Sequence, residues 1–180
     1  MGKLIMKKLI NYTLLLSLSL VLFGCDEQLT IDVNSDEYQY LKKSEKRIVN
    51  YKGNPFNGTI VEYYENGQLK SKGNLKDGKQ DGVSKRYYEN GQLEQKVNYK
   101  DREQHGIYEE YYENGQLKQK INLKDGKEDG PWKDYYENGQ LEKEGNFKDG
   151  KQEGLWKLYY ENGQLKRKVN FKDGKQIPMN

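Results

Sequence analysis

The sequence predicts an all-β chain, built as an elongated single antiparallel sheet of stacked β-hairpins with one hairpin per 24-residue repeat. Three observations carry that prediction. The string YYENGQL begins at Tyr63, Tyr87, Tyr111, Tyr135 and Tyr159, with no insertion or deletion between copies. Every copy contains an Asn-Gly pair, a strong hairpin cue because both central residues of a type I′ turn need positive φ. The segments between turns, such as 132–136 and 141–147, carry aromatic residues and lack a helical period.

Residues 1–24 read as a signal rather than as part of the fold. Lys3, Lys7 and Lys8 precede an apolar run over 14–23 that ends at Gly24 and Cys25. A run of ten residues falls short of the roughly 20 that span a bilayer, and the layout is that of a secretory signal. Leu22, Phe23, Gly24 and Cys25 resemble the bacterial lipoprotein signal, although Phe23 stands where a small residue is usual. The resemblance implies removal of 1–24 and lipidation of Cys25, with palmitate among the acyl groups. The chain would then be held at the bacterial cell envelope by its N-terminal lipid.

Residues 25–46 follow as a lipidated N-terminus and a polar tether, acidic first and then basic. Leu29, Ile31 and Val33 alternate, and an extra strand there is the alternative reading.

The array occupies 47–175: a half repeat at 47–57, repeats at 58–81, 82–105, 106–129 and 130–153, and a partial unit at 154–175, before a tail at 176–180. The structural turns are Asn66 and Gly67, Asn90 and Gly91, Asn114 and Gly115, Asn138 and Gly139, and Asn162 and Gly163. A second turn signal, Asp77 and Gly78 followed by Asp81 and Gly82, reads as a longer and looser connection.

If Asn-Gly is a two-residue turn, Tyr136 stands opposite Leu141, and Trp132, Tyr136, Leu141, Gly145 and Phe147 share one face. A three-residue turn with a bulge would instead oppose Tyr63 and Leu69 and bring Lys85, Glu109, Lys133 and Lys157 into the apolar set. The two-residue turn is the preferred expectation. An array with one apolar face must curl on itself or meet a partner. It is also stabilised by the sum of its neighbour contacts.

Composition narrows the function. The chain has 31 basic and 28 acidic residues, but the three lysines ahead of Cys25 leave with the signal, so 28 of each remain. That balance lacks the basic excess of a nucleic-acid binder, and no nucleic-acid partner is expected. Charged residues of both signs are spread through the repeats, which favours solubility and discourages edge pairing. A single cysteine excludes a disulfide framework.

No catalytic residue, metal ligand set or cofactor is expected. His105 is the single histidine and replaces Asp81, Asp129 and Glu153 of the other units, so it reads as a tolerant loop position. Glu65, Glu89, Glu113, Glu137 and Glu161, and Asp77, Asp101, Asp125, Asp149 and Asp173, recur once per unit, whereas an active site is one asymmetric constellation. The Asp-Gly-Lys-x-Asp-Gly loops lack the spaced ligands of a calcium loop. The acceptor-like triplet at Asn57 reads as accidental. Tyr63, Tyr87, Tyr111, Tyr135 and Tyr159 are the aromatic residues of the more polar face and the candidate partner-binding positions.

The segment 130–141, GPWKDYYENGQL, followed by FKDGK at 147–151, resembles the MORN repeat, and more closely its bacterial variant found in proteins named as antitoxins. The resemblance implies stacked hairpins used for protein or membrane-lipid contact, without catalysis. Ser84 and Tyr108 stand where other units have Trp132 and Trp156. The resulting expectation is a non-catalytic, membrane-anchored repeat lipoprotein that acts as a protein-binding scaffold or adhesion module. An antitoxin or immunity protein neutralising a cognate toxin is the alternative, and cell-wall or membrane-lipid binding ranks below it.

Overall fold

The computed structural model describes residues 29–44 and 48–179. The signal and Cys25 lie outside these residues. An N-terminal cap comprises β1 (Thr30–Asp32), a 3-10 turn (Asp36–Tyr40), β2 (Leu41–Lys43), β3 (Val49–Tyr51) and β4 (Asn54–Pro55). The array follows as β5 (Gly58–Tyr63), β6 (Leu69–Lys76), β7 (Lys79–Gln80), β8 (Gly82–Tyr87), β9 (Leu93–Lys100), β10 (Glu103–Tyr111) and β11 (Leu117–Lys124). It continues through β12 (Lys127–Tyr135), β13 (Leu141–Lys148), β14 (Lys151–Tyr159), β15 (Leu165–Lys172) and β16 (Lys175–Ile177).

The array forms one sheet in chain order, antiparallel throughout, and β2, β3 and β4 form a separate small sheet. The expected all-β architecture of consecutive hairpins is what the chain adopts. The stretch read as a tether is folded over its described part. β1 pairs in parallel with β5, Ile31 opposite Ile60, and Ile31 is 1% exposed. Phe56 is buried in the same cap, and a Cβ on Gly58 would lie 2.3 Å from the Leu29 carbonyl oxygen, so glycine is required at that crossing.

The two turns of each unit exchange the roles the sequence suggested. At the Asn-Gly loops the backbone N–H of Gly139 donates to the Tyr136 carbonyl at 2.8 Å, and that of Tyr136 donates to the Gln140 carbonyl at 2.8 Å. Three residues therefore connect the strands, and positive φ falls on Gly139 (82°) but not on Asn138. This is a type I turn closed by a left-handed glycine, not the type I′ turn anticipated. The side chain of Asn138 accepts from the Gln140 N–H at 2.9 Å, which supports the first bend.

The three-residue loop places Tyr135 opposite Leu141, so each leucine partners the first tyrosine of its pair and not the second. A bulge then leaves Glu142 as an extra residue, and the register becomes Asp134 opposite Lys143. The two irregularities cancel. Trp132 faces Gly145 and Gly130 faces Phe147, as a two-residue turn would have them, and the apolar face survives beyond the bulge.

The Asp-Gly connections are the tight ones. Lys124 opposes Lys127 across Asp125 (φ 50°) and Gly126 (φ 76°), a type I′ turn with both central residues left-handed. A bulge follows on the incoming strand: His105, Gly106 and Ile107 span the interval opposite Asn98, between the pairs Gln104–Tyr99 and Tyr108–Val97.

Adjacent hairpins are joined at both ends. The hydroxyls of Tyr64, Tyr88 and Tyr112 donate to the backbone carbonyls of Tyr87, Tyr111 and Tyr135 at 2.7 Å, and Tyr136 does the same to Tyr159 at 2.9 Å. Burial pushes the phenols of Tyr88 and Tyr112 above the usual tyrosine range, which keeps them protonated as donors. The Asn138 side-chain amide donates to the Glu161 carbonyl at 2.9 Å, and Asn114 and Asn90 do likewise one and two units earlier. At the opposite end, the N–H groups of Asp101, Asp149 and Asp173 donate to the carboxylates of Asp81, Asp129 and Glu153. The column read as tolerant of any polar residue thus supplies an acceptor to the next turn, and Asn57 serves Asp77 in this way at 2.8 Å.

The core is a single seam along one face. Val97, Ile121, Leu123, Trp156 and Val169 are its buried members in the array, while Val61, buried at the cap end, lies on the other face. In the last units Trp132, Phe147, Trp156 and Phe171 stack with centroids 4.8, 5.3 and 6.1 Å apart. Trp156 covers Gly145, where an added Cβ would lie 2.2 Å from indole Cδ2. A fully buried side chain of this size contributes about 1.5–3 kcal/mol, so the seam is built from few but large contributions.

Candidate interaction face

With the seam on one face, strand alternation sends the residues between its members to the other. Register pairs trace one column across that second face from Val61 through Lys72, Lys85, Lys96, Glu109, Lys120, Lys133, Glu144 and Lys157 to Lys168. Seven of these ten residues are lysines and two are glutamates. Lys72–Lys85, Lys85–Lys96, Lys120–Lys133 and Lys157–Lys168 are directly opposed. Like charges directly opposite each other destabilise a sheet.

The two glutamates neutralise part of the column. Glu109 binds Lys120 at 2.8 Å and Lys96 at 3.2 Å, and its side chain is 12% exposed. The Lys120 hydrogen bond, joined by that of Lys96, holds the Glu109 carboxyl below the usual range despite its burial. Burial alone would raise Glu144, but the Lys157 bond at 3.1 Å and the Tyr159 hydroxyl at 3.0 Å outweigh it and lower the carboxyl. Among the described residues Lys72, Lys85, Lys133 and Lys168 form no ion pair.

Two rows flank the column. On one side stand Tyr63, Tyr87, Tyr111, Tyr135 and Tyr159. Tyr63 is 41% exposed and the other four are half-buried. The hydroxyl of Tyr111 donates to Glu109 at 3.3 Å and that of Tyr159 to Glu144, so part of this row braces the column. On the other side Val83, Ile107 and Leu155 are exposed, in register with Asn98, Asn122 and Asn170, and Pro131 fills the matching place opposite Asn146. Pro131, Lys133, Glu144, Asn146, Leu155 and Lys157 line a shallow depression of about 260 Å³.

Sequence reasoning found the tyrosine row but missed the column and the aliphatic row. The overall charge balance concealed the column because it says nothing about register. Glu65, Glu89, Glu113, Glu137 and Glu161 sit at the hairpin tips, while the lysines converge on the middle of the face. The aliphatic row stands next to the glycine bulges, whose effect on parity is not visible in the sequence.

The other face carries polar groups that serve the seam. Asp134 accepts from Trp132 Nε1 and Gln119 Nε2, each at 2.9 Å, and pairs with Lys143 at 2.8 Å. Lys143 lies over both Trp132 and Trp156. Among the described residues no cluster of His, Cys, Asp and Glu could hold a metal ion, and His105 Nδ1 stands 3.5 Å from Asp125.

Residues 56–77, 80–101, 104–125, 128–149 and 152–173 match the model of a family described as the MORN repeat variant, and together cover more than half of the chain. The matched frame begins two residues before Gly58, so the last unit is whole within it. No curated protein matches the chain.

Proposed function

We propose, from the premise that this chain belongs to the MORN repeat variant family, that it is a protein-binding module tethered at a bacterial envelope by a lipid on Cys25. MORN repeats are generally protein or membrane-lipid binding modules, and the family is generally non-catalytic. The observation that carries the reading is the second face. It presents a tyrosine row, a lysine column and an exposed aliphatic row, while burial of the seam takes place on the opposite side.

Aromatic residues beside exposed aliphatic ones, within a broad and shallow surface, suit a macromolecule better than a small ligand. The lipoprotein-type sequence at 22–25 supports the tether. The test compares envelope proteins retained by the wild-type chain with those retained by Tyr63→Ser/Tyr87→Ser/Tyr135→Ser, three positions whose hydroxyls make no hydrogen bond among the described residues. Loss of a discrete partner with an unchanged melting temperature supports the reading, and identical retention overturns it. Cys25→Ala is expected to abolish acylation and membrane partitioning. If both persist in that variant, the tether is wrong.

A further inference from the structure

We propose that the lysine column docks a carboxylate-rich protein segment, an inference that rests on the protein-binding reading above and specifies its partner. Four Lys–Lys pairs stand directly opposed in the register of one column. The fold gains nothing from them, since like charges across a sheet repel, and Lys72, Lys85 and Lys133 lack ion pairs among the described residues. An anionic partner converts that repulsion into attraction.

The arrangement favours a protein over the other polyanions. Glu109 and Glu144 interrupt the column at the very face that would dock, and the two glutamates would repel the unbroken charge of a phosphodiester backbone or a headgroup layer. A polypeptide can set its carboxylates against the lysines and place other residues over the glutamates. The flanking Val83, Ile107 and Leu155, each more than a third exposed, offer apolar contacts to the side chains between those carboxylates. The tyrosines on the other flank add amphipathic contact area.

The probe is poly-L-glutamate, titrated against the full chain at low and physiological salt. Phosphatidylglycerol vesicles and a single-stranded oligonucleotide serve as competing polyanions. Binding is expected to weaken as salt rises and to fall at least about tenfold in Lys72→Gln/Lys85→Gln/Lys133→Gln. The control Lys70→Gln/Lys118→Gln/Lys166→Gln removes the same charge from the hairpin ends, and its binding is expected to change less than about threefold. The column variant should also melt close to wild type, because the relieved Lys72–Lys85, Lys85–Lys96 and Lys120–Lys133 repulsion offsets the lost attraction of Lys133 for the opposed Glu144.

Absence of poly-glutamate binding at low salt, or equal losses in both variants, overturns the inference. So does a column-dependent preference for vesicles or oligonucleotide over poly-glutamate. If the tyrosine variant loses its envelope partner while the column variant keeps it, the protein-binding reading stands and the acidic partner falls. If neither variant loses it, both fall.

Discussion

The Tyr112 hydroxyl donates to the backbone carbonyl of Tyr135, 2.7 Å away in the next hairpin, and the same bond recurs between successive units from Tyr64 to Tyr159. Each of the first four YYENGQL copies therefore spends its second tyrosine on the repeat that follows. Tyr112→Phe leaves a part-buried carbonyl without its donor and is expected to cost about 1 kcal/mol. Tyr87→Phe, whose hydroxyl makes no such bond, is expected to cost less than about 0.5 kcal/mol. Urea melts of the two variants check the difference.

Gly126 occupies the second central position of a type I′ turn at φ 76°, with open space around an added Cβ. Gly126→Ala isolates the conformational cost and is expected to destabilise by about 1–2 kcal/mol. Gly126→Asn is expected to lose less, since asparagine tolerates the left-handed region. Equal effects would argue against a left-handed residue at this turn. The chain already accepts Arg102 at φ 77° in the equivalent place.

Gly145 lies beneath Trp156, and a methyl group there meets the indole ring itself. Gly145→Ala is expected to cost about 1–3 kcal/mol through overpacking and to shift the tryptophan emission. Val97 and Ile121 hold the equivalent column in earlier units, where Tyr108 and Trp132 stand in the place of Trp156. The same position thus tolerates bulk in one unit and forbids it in another.

Glu109 is held below its ordinary value of 4.5, first by the hydrogen bond from Lys120 and then by that from Lys96. A depressed carboxyl binds its proton more weakly in the folded state than in the unfolded one. Its stabilisation is therefore complete above the unfolded value and is lost as pH falls from there through the folded value. Glu109→Gln is expected to flatten the stability profile below about pH 4.5 and to cost about 1–2 kcal/mol at neutral pH. Melts recorded across the acid range check both.

His105 stands where Asp81, Asp129 and Glu153 accept the N–H of the aspartate 20 residues on. His105→Asp restores a carboxylate for the Asp125 N–H and is expected to stabilise by about 0.5–1 kcal/mol. An unchanged or lower midpoint would show that the histidine already satisfies that turn.

The 24-residue period, the hairpin per unit, the glycine punctuation and the apolar seam containing Trp132, Trp156 and Phe147 were all legible in the sequence. They follow from spacing and alternation, and alternation survives wherever local irregularities come in compensating pairs. Whether the tight turn was Asn-Gly or Asp-Gly was not legible, because both dipeptides tolerate left-handed backbone. The Glu142 bulge and the side chains that bond across hairpins decide which one adopts it. The folding of residues 30–43 was legible only as the alternative strand reading of Leu29, Ile31 and Val33, since Ile31 is buried only because β5 offers it an edge.

The sequence by itself determined that this chain is a regular array with a seam on one side and tyrosines on the other, because repetition and two-residue alternation act locally along the chain. Only the tertiary structure decided that the lysines of seven strands stand in one column, with glutamates at two of its places. That arrangement depends on register between strands, which the turns and their bulges set and which no count of charges along the chain contains.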